Sequence, residues 1–167
     1  MILPSRNGIS SSIVIRNNIF ANNLKAQLQA TRIETHLSFT FTNNIVWFNT
    51  GKLLDSNWDK FKIQSDNNCY WDTRTKDILF KKWSFDEWKK SGKDTHSIIG
   101  DPAFVNPSSF DFRIKNKNVL HKTGFKEFNY SLAGVYGSEE WKKLASLNPL
   151  IAEQFDEASL KNEARKK

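Results

Sequence analysis

The stretch FTFTNNIVWF, residues 39–48, contains the pattern from which the architecture of this chain follows. Its first four residues alternate phenylalanine and threonine, which is typical of a β-strand with one buried face. Two asparagines come next, and an apolar run resumes directly after them. Asparagine enters the left-handed backbone region more readily than other non-glycine residues. The stretch therefore predicts two short strands joined by a sharp corner.

The same arrangement occurs three times. Asparagine pairs begin at Asn17, Asn43 and Asn67, at spacings of 26 and 24 residues. This period fits one turn of a solenoid and is too short for most two-helix repeats. The residues before the pairs, IVIR, FTFT and IQSD, alternate with strand period. Stacked parallel coils produce columns of equivalent residues, and stacked asparagine amides can bond from coil to coil. One such column follows the pairs directly: Ile19, Ile45 and Cys69.

The repeat resembles the coils of right-handed parallel β-helix proteins, the pectate-lyase-like superfold. Four later stretches extend the resemblance in the same order: NNCYWD, WSFDEWKKSGKDTHSIIGDPAFVNP, FDFRI and GFKEFNYSLAGVYGSEEW. They are similar to the C-terminal part of bacterial β-helix proteins that include glycoside hydrolase family 141. The similarity runs from about Asn67 to Trp141, with weaker support back to Ile13. It departs from the family after FDFRI, where such proteins often carry Ser-Pro-Ala-Leu and this chain has NKNVLHKTG.

The sequence thus predicts an all-β fold, in which the last coils of a right-handed parallel β-helix, a solenoid, carry short appended α-helices. We expect residues 1–137 to form these coils and their closing segment, and residues 138–167 to form a helical tail. Proteins of this family are several hundred residues long, so the resemblance implies that this chain is a C-terminal piece. It also implies a stacking partner, the upstream β-helix coils of the parent chain.

Two helix starts can be placed in the sequence. Ser84, with Glu87 three residues later, predicts a capping box and a short helix. Ser138 predicts a second helix with Trp141 and Leu144 buried. Three tryptophans are expected to pack, with contact to a sugar as the alternative: Trp71, Trp83 and Trp88.

The composition narrows the classes of function. The net charge is +7, and the excess lies in residues 74–126, which hold 12 Lys and Arg against 6 Asp and Glu. These basic residues are interspersed with acids and form no nucleic-acid-binding motif. No apolar stretch reaches the roughly 18 residues of a membrane helix, and MILPSRNGIS lacks the apolar segment of a signal peptide. The single cysteine excludes an internal disulfide framework. We expect no nucleic-acid and no membrane partner.

Two carboxylates of the third copy are the candidates for chemistry. Asp66 and Asp72 flank the third corner, and glycoside hydrolysis needs two carboxyl groups about 5 to 9.5 Å apart in one cleft. Trp71 and Arg74 are the neighbouring candidates for substrate binding. Solvated or turn-forming aspartates would explain the same pattern. Other carboxylates at loop positions are Asp77, Asp94 and Asp101.

No residues stand at metal-ligand spacing, so we expect no metal and no cofactor. Calcium would enter only if the parent protein were a polysaccharide lyase, which sets a basic residue beside calcium-binding carboxylates. The segment around Asp72, Arg74 and Lys76 offers that combination.

The resemblance implies a carbohydrate-active protein, most simply a glycoside hydrolase that acts on a polysaccharide or oligosaccharide. Its catalytic groups would lie mostly on coils upstream of this chain, so we expect the piece alone to be inactive. The resemblance also implies an extracellular or periplasmic parent protein. The alternative is a non-catalytic β-helix module: a glycan-binding scaffold, an adhesin or a piece of a phage spike. A fold does not itself confer activity, so the site must decide between them.

Overall fold

The computed structural model of this 167-residue chain describes residues 13–60, 62–146 and 148–164. The chain divides into two compact units, Met1–Glu127 and Phe128–Lys167. The first unit holds the described β-strands, and the second consists of short helices. The boundary expected at residue 137 stays a prediction.

Short strands separated by corners build three stacked coils in the first unit. Their bounds are β1 Ile13–Arg16, β2 Ile19–Ala21, β3 Ala26–Ala30, β4 Phe39–Thr42, β5 Ile45–Phe48, β6 Lys52–Ser56, β7 Ile63–Asp66 and β8 Cys69–Asp72. Coil 1, residues 13–38, contains β1 to β3. Coil 2, residues 39–62, contains β4 to β6. Coil 3 begins at Ile63 and opens with β7 and β8.

Equivalent strands of successive coils pair in parallel and in register. β1, β4 and β7 form one sheet, β2, β5 and β8 belong to a second, and β3 and β6 form a third. The predicted column of Ile19, Ile45 and Cys69 is confirmed, since these residues are direct Cα partners. The architecture is a right-handed parallel β-helix, which confirms the expected fold class.

The two asparagines of each pair have different tasks. The first adopts the left-handed conformation, with φ of 57° at Asn17, 56° at Asn43 and 55° at Asn67, which confirms the predicted corner. The second keeps its side chain for bonds between coils, and Asn44 and Asn68 are fully buried. A corner therefore uses one asparagine for its backbone and the other for its amide.

The second asparagines form a hydrogen-bonded ladder. Oδ1 of Asn44 accepts from the backbone N–H and from Nδ2 of Asn18, at 3.0 and 3.2 Å. Oδ1 of Asn68 accepts the same two donors of Asn44, at 2.9 and 3.3 Å. Ser97 takes the next place, where its Oγ accepts from the Asn68 N–H at 2.8 Å. Because buried polar groups need partners, the ladder ties each coil to the next.

Two apolar clusters lie on opposite faces of the β2–β5–β8 sheet, as strand alternation requires. The inner cluster fills the coils and includes Phe41, Val46, Phe48, Leu53, Leu54 and Tyr70. The outer cluster joins Ile45 and Cys69 to Phe104, Ile114, Val119 and Phe125. The column after the corners thus faces a covering segment and not the interior of the coils. Burial raises the pKa of the Cys69 thiol to about 12.

Helix α1 (Phe85–Lys90) packs at the coil-3 end of the inner cluster. Ser84 and Glu87 form the predicted capping box, and Trp88 is buried. The Asp94 carboxylate is 1% exposed. Its Oδ2 accepts from Trp88 Nε1 at 2.7 Å. Its Oδ1 accepts four hydrogen bonds of 2.7 to 3.0 Å, from Ser65 Oγ, Asn68 Nδ2, Tyr70 Oη and Ser97 Oγ.

The rest of the first unit covers the outer face. β9 (Ile98–Ile99) extends the second sheet beyond β8. β10 (Phe104–Asn106) and β11 (Asp111–Ile114) form an antiparallel pair, and α2 (Lys117–Thr123) follows.

This closing segment binds the amides of two first asparagines of the corners, which are half-buried. Nδ2 of Asn43 donates to the Thr123 carbonyl at 2.6 Å. Asn17 bonds with both its amide atoms to the backbone of Lys126, at 2.8 and 2.6 Å. The first asparagines thus hold the segment along the coils.

The second unit contains a 3-10 turn at Tyr130–Leu132, α3 (Glu139–Leu144) and α4 (Pro149–Ala164). Ser138 caps α3 as predicted. Trp141 and Leu144 are exposed, so their predicted burial is wrong. Six residues make fewer than two turns, and a helix so short presents no continuous apolar stripe. Among the described residues, no helix has the length and apolar character needed to cross a membrane.

Candidate functional site

The chain leaves the regular coil path after β8, and a cleft lies there. The third sheet has two described strands, whereas the first has three and the second four. Residues 73–83 pass beside β6 without adding a strand to its sheet. A cavity of about 240 Å³ lies between them, which we call the coil-2 cleft. Its lining residues are Phe48, Gly51, Lys52, Leu53, Leu54, Asp72, Asp77, Ile78, Leu79 and Lys81.

Asp72 and Arg74 form a two-pronged ion pair at this cleft. Nε of Arg74 donates to Oδ1 of Asp72 at 2.8 Å, and Nη2 donates to Oδ2 at 2.7 Å. The Arg74 backbone N–H adds a bond of 3.0 Å to Oδ1. Nη2 also donates to the Gly51 carbonyl at 2.8 Å. The structure therefore brings together two of the candidates found in the sequence.

The surroundings of Asp72 keep its carboxyl group ionised. The residue is buried, and burial alone would raise its pKa. Hydrogen bonds from the Arg74 side chain and backbone, with the guanidinium charge, outweigh burial and leave the pKa below its ordinary value. Such a carboxylate can accept hydrogen bonds or act as a base or nucleophile. It does not act as a general acid near neutral pH.

Three further charged residues line the cleft: Lys52, Asp77 and Lys81. Nζ of Lys52 lies 2.8 Å from Oδ1 of Asp55, and this bond lowers the Asp55 pKa. Nζ of Lys81 donates to the Ser56 carbonyl at 2.9 Å. The exposed Asp77 stands in the loop after β8. The cleft therefore has two carboxylates and two ammonium groups in its lining.

Gly51 fixes the approach of coil 2 to coil 1 at the edge of the cleft. Its φ is +70°, and a Cβ added there would lie 2.6 Å from the Lys25 carbonyl oxygen and 2.8 Å from that of Leu24. Only glycine meets both conditions without a shift of the backbone. The close approach leaves the Gly51 carbonyl available to Arg74.

Asp66 is engaged at a different place, with His96. Oδ1 of Asp66 accepts from the His96 backbone N–H at 2.7 Å, and Oδ2 lies 2.6 Å from Nδ1 of the ring. Burial would raise the Asp66 pKa, but the hydrogen bonds from His96 outweigh it and the pKa is lowered. Asp66 does not line the coil-2 cleft. A catalytic role for Asp66 and Asp72 stays a prediction.

The tryptophans divide between the two faces of the coils. Trp83 and Trp88 pack in the inner cluster with ring centroids 6.0 Å apart, which confirms their expected packing. Trp71 is half-buried in β8 and is the register partner of Trp47. It lies outside the lining of the coil-2 cleft, so a contact between Trp71 and a sugar stays a prediction.

No metal centre stands out in the part of the chain that the structure describes, where no three His, Cys, Asp or Glu side chains are placed to hold an ion. Calcium takes about six to eight oxygen ligands. At Asp72 both carboxylate oxygens already accept hydrogen bonds from Arg74. The expected absence of a cofactor stays a prediction.

Comparison of the chain with protein-family models, with curated proteins and with solved structures gives no match. The fold itself suits a carbohydrate-active protein or a scaffold module.

Reasoning from the sequence missed most of the cleft. Lys52 belongs to coil 2, and Lys81 lies in a loop outside the repeat. The 24- to 26-residue repeat therefore does not predict that either lysine lies near Asp72. A signal was present for Gly51, because one repeat of 26 residues places it on Lys25 of the preceding coil. A glycine among stacked corners indicates a close approach of two backbones.

Proposed function

We propose that this chain is the C-terminal part of a carbohydrate-active β-helix protein and that its coil-2 cleft binds a neutral glycan. One observation carries this function: two carboxylates, Asp72 and Asp77, and two ammonium groups, Lys52 and Lys81, line a single concave site. Charged groups of both signs bind sugar hydroxyls, which donate to the carboxylates and accept from the ammonium groups. Apolar side chains at 78–79 offer contact to the C–H faces of a sugar ring.

The charge balance of the cleft favours an uncharged sugar. Arg74 neutralises Asp72, and Asp55 neutralises Lys52. The remaining charges, Asp77 and Lys81, have opposite signs. An acidic sugar would therefore gain no net attraction and would meet two carboxylates.

The size of the cleft limits how much of a glycan it holds. Its volume of about 240 Å³ is below the roughly 300 Å³ at which pockets for drug-sized ligands begin. We expect one sugar unit in the cleft, with the rest of the polysaccharide running over the surface. The resemblance of the chain to secreted β-helix proteins implies an extracellular or periplasmic location for the parent.

Binding without catalysis is the form of this function that the Asp72–Arg74 ion pair favours, because it engages both oxygens of that carboxylate. A glycosidase needs one carboxyl group whose raised pKa keeps it protonated as the acid. The pKa values of Asp66 and Asp72 are both lowered. Glycoside hydrolysis, which the likeness to glycoside hydrolase family 141 implies, is the second candidate because Asp72 and Asp77 share the cleft. In it Asp72 acts as base or nucleophile.

The test measures binding of neutral and acidic oligosaccharides by titration calorimetry. We expect the natural chain to bind a neutral oligosaccharide with a Kd in the micromolar to millimolar range. We expect Asp77→Ala to raise that Kd at least about tenfold, because it removes one to two hydrogen bonds between the sugar and a charged group. Asp86→Ala is the matched control, since Asp86 is exposed and lies outside the cleft. Binding that is equal in the two variants, or a preference for acidic glycans, contradicts the assignment of the cleft.

Release of reducing ends from the bound glycan separates the two candidates. A non-catalytic module binds without releasing sugar. Hydrolysis that Asp72→Asn and Asp77→Asn each abolish, while binding persists, would identify an enzyme instead.

A further inference from the structure

Four aromatic rings of the first unit form a row that leads from the coils to the surface. Trp47 lies in β5, Phe104 in β10 and Phe112 in β11, and Phe110 comes directly before β11. The ring centroids of successive members are 6.3, 5.1 and 6.5 Å apart, and each pair meets edge to face. Phe104 is buried, Trp47 and Phe112 are half-buried, and Phe110 is 67% exposed. We call these four residues the aromatic row.

Phe110 combines an exposed ring with a strained backbone. Its φ is 58°, in the left-handed region, where a bulky residue is an outlier. The 3-10 turn Pro107–Ser109 ends there, and the Phe110 N–H donates to the Pro107 carbonyl at 3.2 Å. Glycine or asparagine would adopt this backbone at a lower cost. Because most of the ring is exposed, its burial does not offset the strain, and strain of this kind is concentrated at functional sites.

The inner end of the aromatic row adjoins the coil-2 cleft. Trp47 directly precedes Phe48 in β5, and Trp71 directly precedes Asp72 in β8. Phe48 and Asp72 both line the cleft, and the two tryptophans are register partners. The outer face that carries Trp47 therefore reaches the cleft at the ends of these two strands.

The charged residues on either side of Phe112 neutralise each other. Nε of Arg113 donates to Oδ1 of Asp111 at 2.9 Å, and Nη2 donates to Oδ2 at 2.6 Å. An uncharged ligand therefore fits the surroundings of the row better than an anion or a cation does. Aromatic side chains also offer apolar contact to the C–H faces of a sugar ring.

We infer that the aromatic row is a second binding surface for the glycan of the coil-2 cleft, and that the Phe110 ring stacks on a sugar unit outside the cleft. The inference rests on the proposed function and adds to it the surface over which the rest of the polysaccharide runs. One unit occupies the cleft, and the following units pass the ends of β5 and β8 and continue along the row to Phe110. A second copy of this chain is the other occupant that an exposed phenylalanine fits, and the experiment separates the two.

Titration calorimetry of the full chain with the disaccharides and hexasaccharides of cellulose, mannan and xylan tests the row. In the series that binds, the Kd of the hexasaccharide should be at least about tenfold below that of the disaccharide. Phe110→Ala should raise the Kd of the hexasaccharide at least about fivefold and change that of the disaccharide less than about twofold. Equal effects of Phe110→Ala on the two sugars would overturn the inference. If Asp77→Ala still weakened binding of the disaccharide, the function of the cleft would stand without the row.

Two further variants distinguish binding from packing. Phe155→Ala is the matched control, since Phe155 is 71% exposed in α4 and lies outside the row, and it should leave the Kd of the hexasaccharide unchanged. Phe110→Asn replaces the ring by a residue that accepts the left-handed backbone more readily, so it should weaken binding while it lowers Tm by no more than about 2 °C. A larger fall in Tm would assign the ring to packing and overturn the inference. A dimer of the natural chain that Phe110→Ala converts to a monomer would overturn it too, because the row would then bind a second copy.

Discussion

At the coil-1 end of the ladder Asn18 turns its amide onto its own strand, whereas at the other end Ser97 and Asp94 take up the donors of Asn68. The side chains at the two ends differ in chemistry. An amide both donates and accepts, so it can repeat from coil to coil. The Asp94 carboxylate accepts from five side chains, so it collects donors and does not carry the ladder further. The ladder thus ends in a carboxylate at the coil-3 end, whereas at the coil-1 end of the described residues it ends in an amide of the same kind as those within the ladder.

The largest expected effect comes from removing the Asp94 carboxylate, at which the ladder ends. Asp94→Ala removes the acceptor of five buried hydrogen bonds, so we expect the free energy of unfolding to fall by about 3 to 5 kcal/mol. Urea unfolding followed by tryptophan fluorescence measures this. Asp86→Ala removes an exposed acid of the neighbouring helix and should cost about 0.5 kcal/mol or less. A loss below about 1 kcal/mol for Asp94→Ala would mean that water satisfies these donors.

A second comparison sets one asparagine of the ladder against another. Asn44→Ala removes a buried amide and leaves the Asn18 N–H and the Ile15 carbonyl without their partner. We expect it to cost about 2 to 4 kcal/mol, and Asn18→Ala less than about 1 kcal/mol, because the Asn18 side chain is exposed. Urea unfolding of the two variants measures the difference. Similar decreases in the free energy of unfolding would show that the position of an asparagine along the ladder does not matter. They would contradict the difference between the two ends of the ladder.

The ladder could be predicted from the sequence because its cause is local and repeated. Three asparagine pairs at nearly equal spacing predict corners, parallel strands and columns, and the structure confirms each. The division of work within a pair could not be predicted, since both residues are asparagine. Which one turns the backbone depends on the direction of the inner face, and that is set by packing.

The end of the ladder at Ser97 and Asp94, and the lysines of the coil-2 cleft, could not be predicted from the sequence for one shared reason. Ser97 belongs to the ladder, but it follows Asn68 after 29 residues and is not an asparagine. Asp94 lies two residues before His96 in the sequence, yet its partners come from separate segments that include β7, β8 and α1. Lys52 and Asp72 reach the coil-2 cleft from successive coils. No sequence pattern predicts long-range contacts of this kind outside the repeat.

Asp72 offers the smallest expected effect and a second contrast with Asp94. Both are buried, but neutral donors surround Asp94 whereas a half-exposed guanidinium pairs with Asp72, so solvent screens part of that interaction. The Asp72 pKa is lower in the folded chain than in the unfolded one. As pH falls below about 4, the unfolded chain takes up this proton first, so the stability contributed by Asp72 is present above that pH and is lost below it.

Replacing Asp72 by asparagine removes this titration while it nearly keeps the volume of the side chain. We expect the free energy of unfolding of Asp72→Asn to fall less steeply than that of the natural chain between about pH 5 and pH 2, and the two curves to run parallel between about pH 5 and pH 8. Urea unfolding at each pH measures both curves. Asp66→Asn removes a more exposed pair and should change the slope less. Equal slopes for the natural chain and Asp72→Asn would mean that Arg74 does not pair with the carboxylate in solution. The charge balance on which the preference of the cleft for a neutral sugar rests would then lose the Asp72–Arg74 pair.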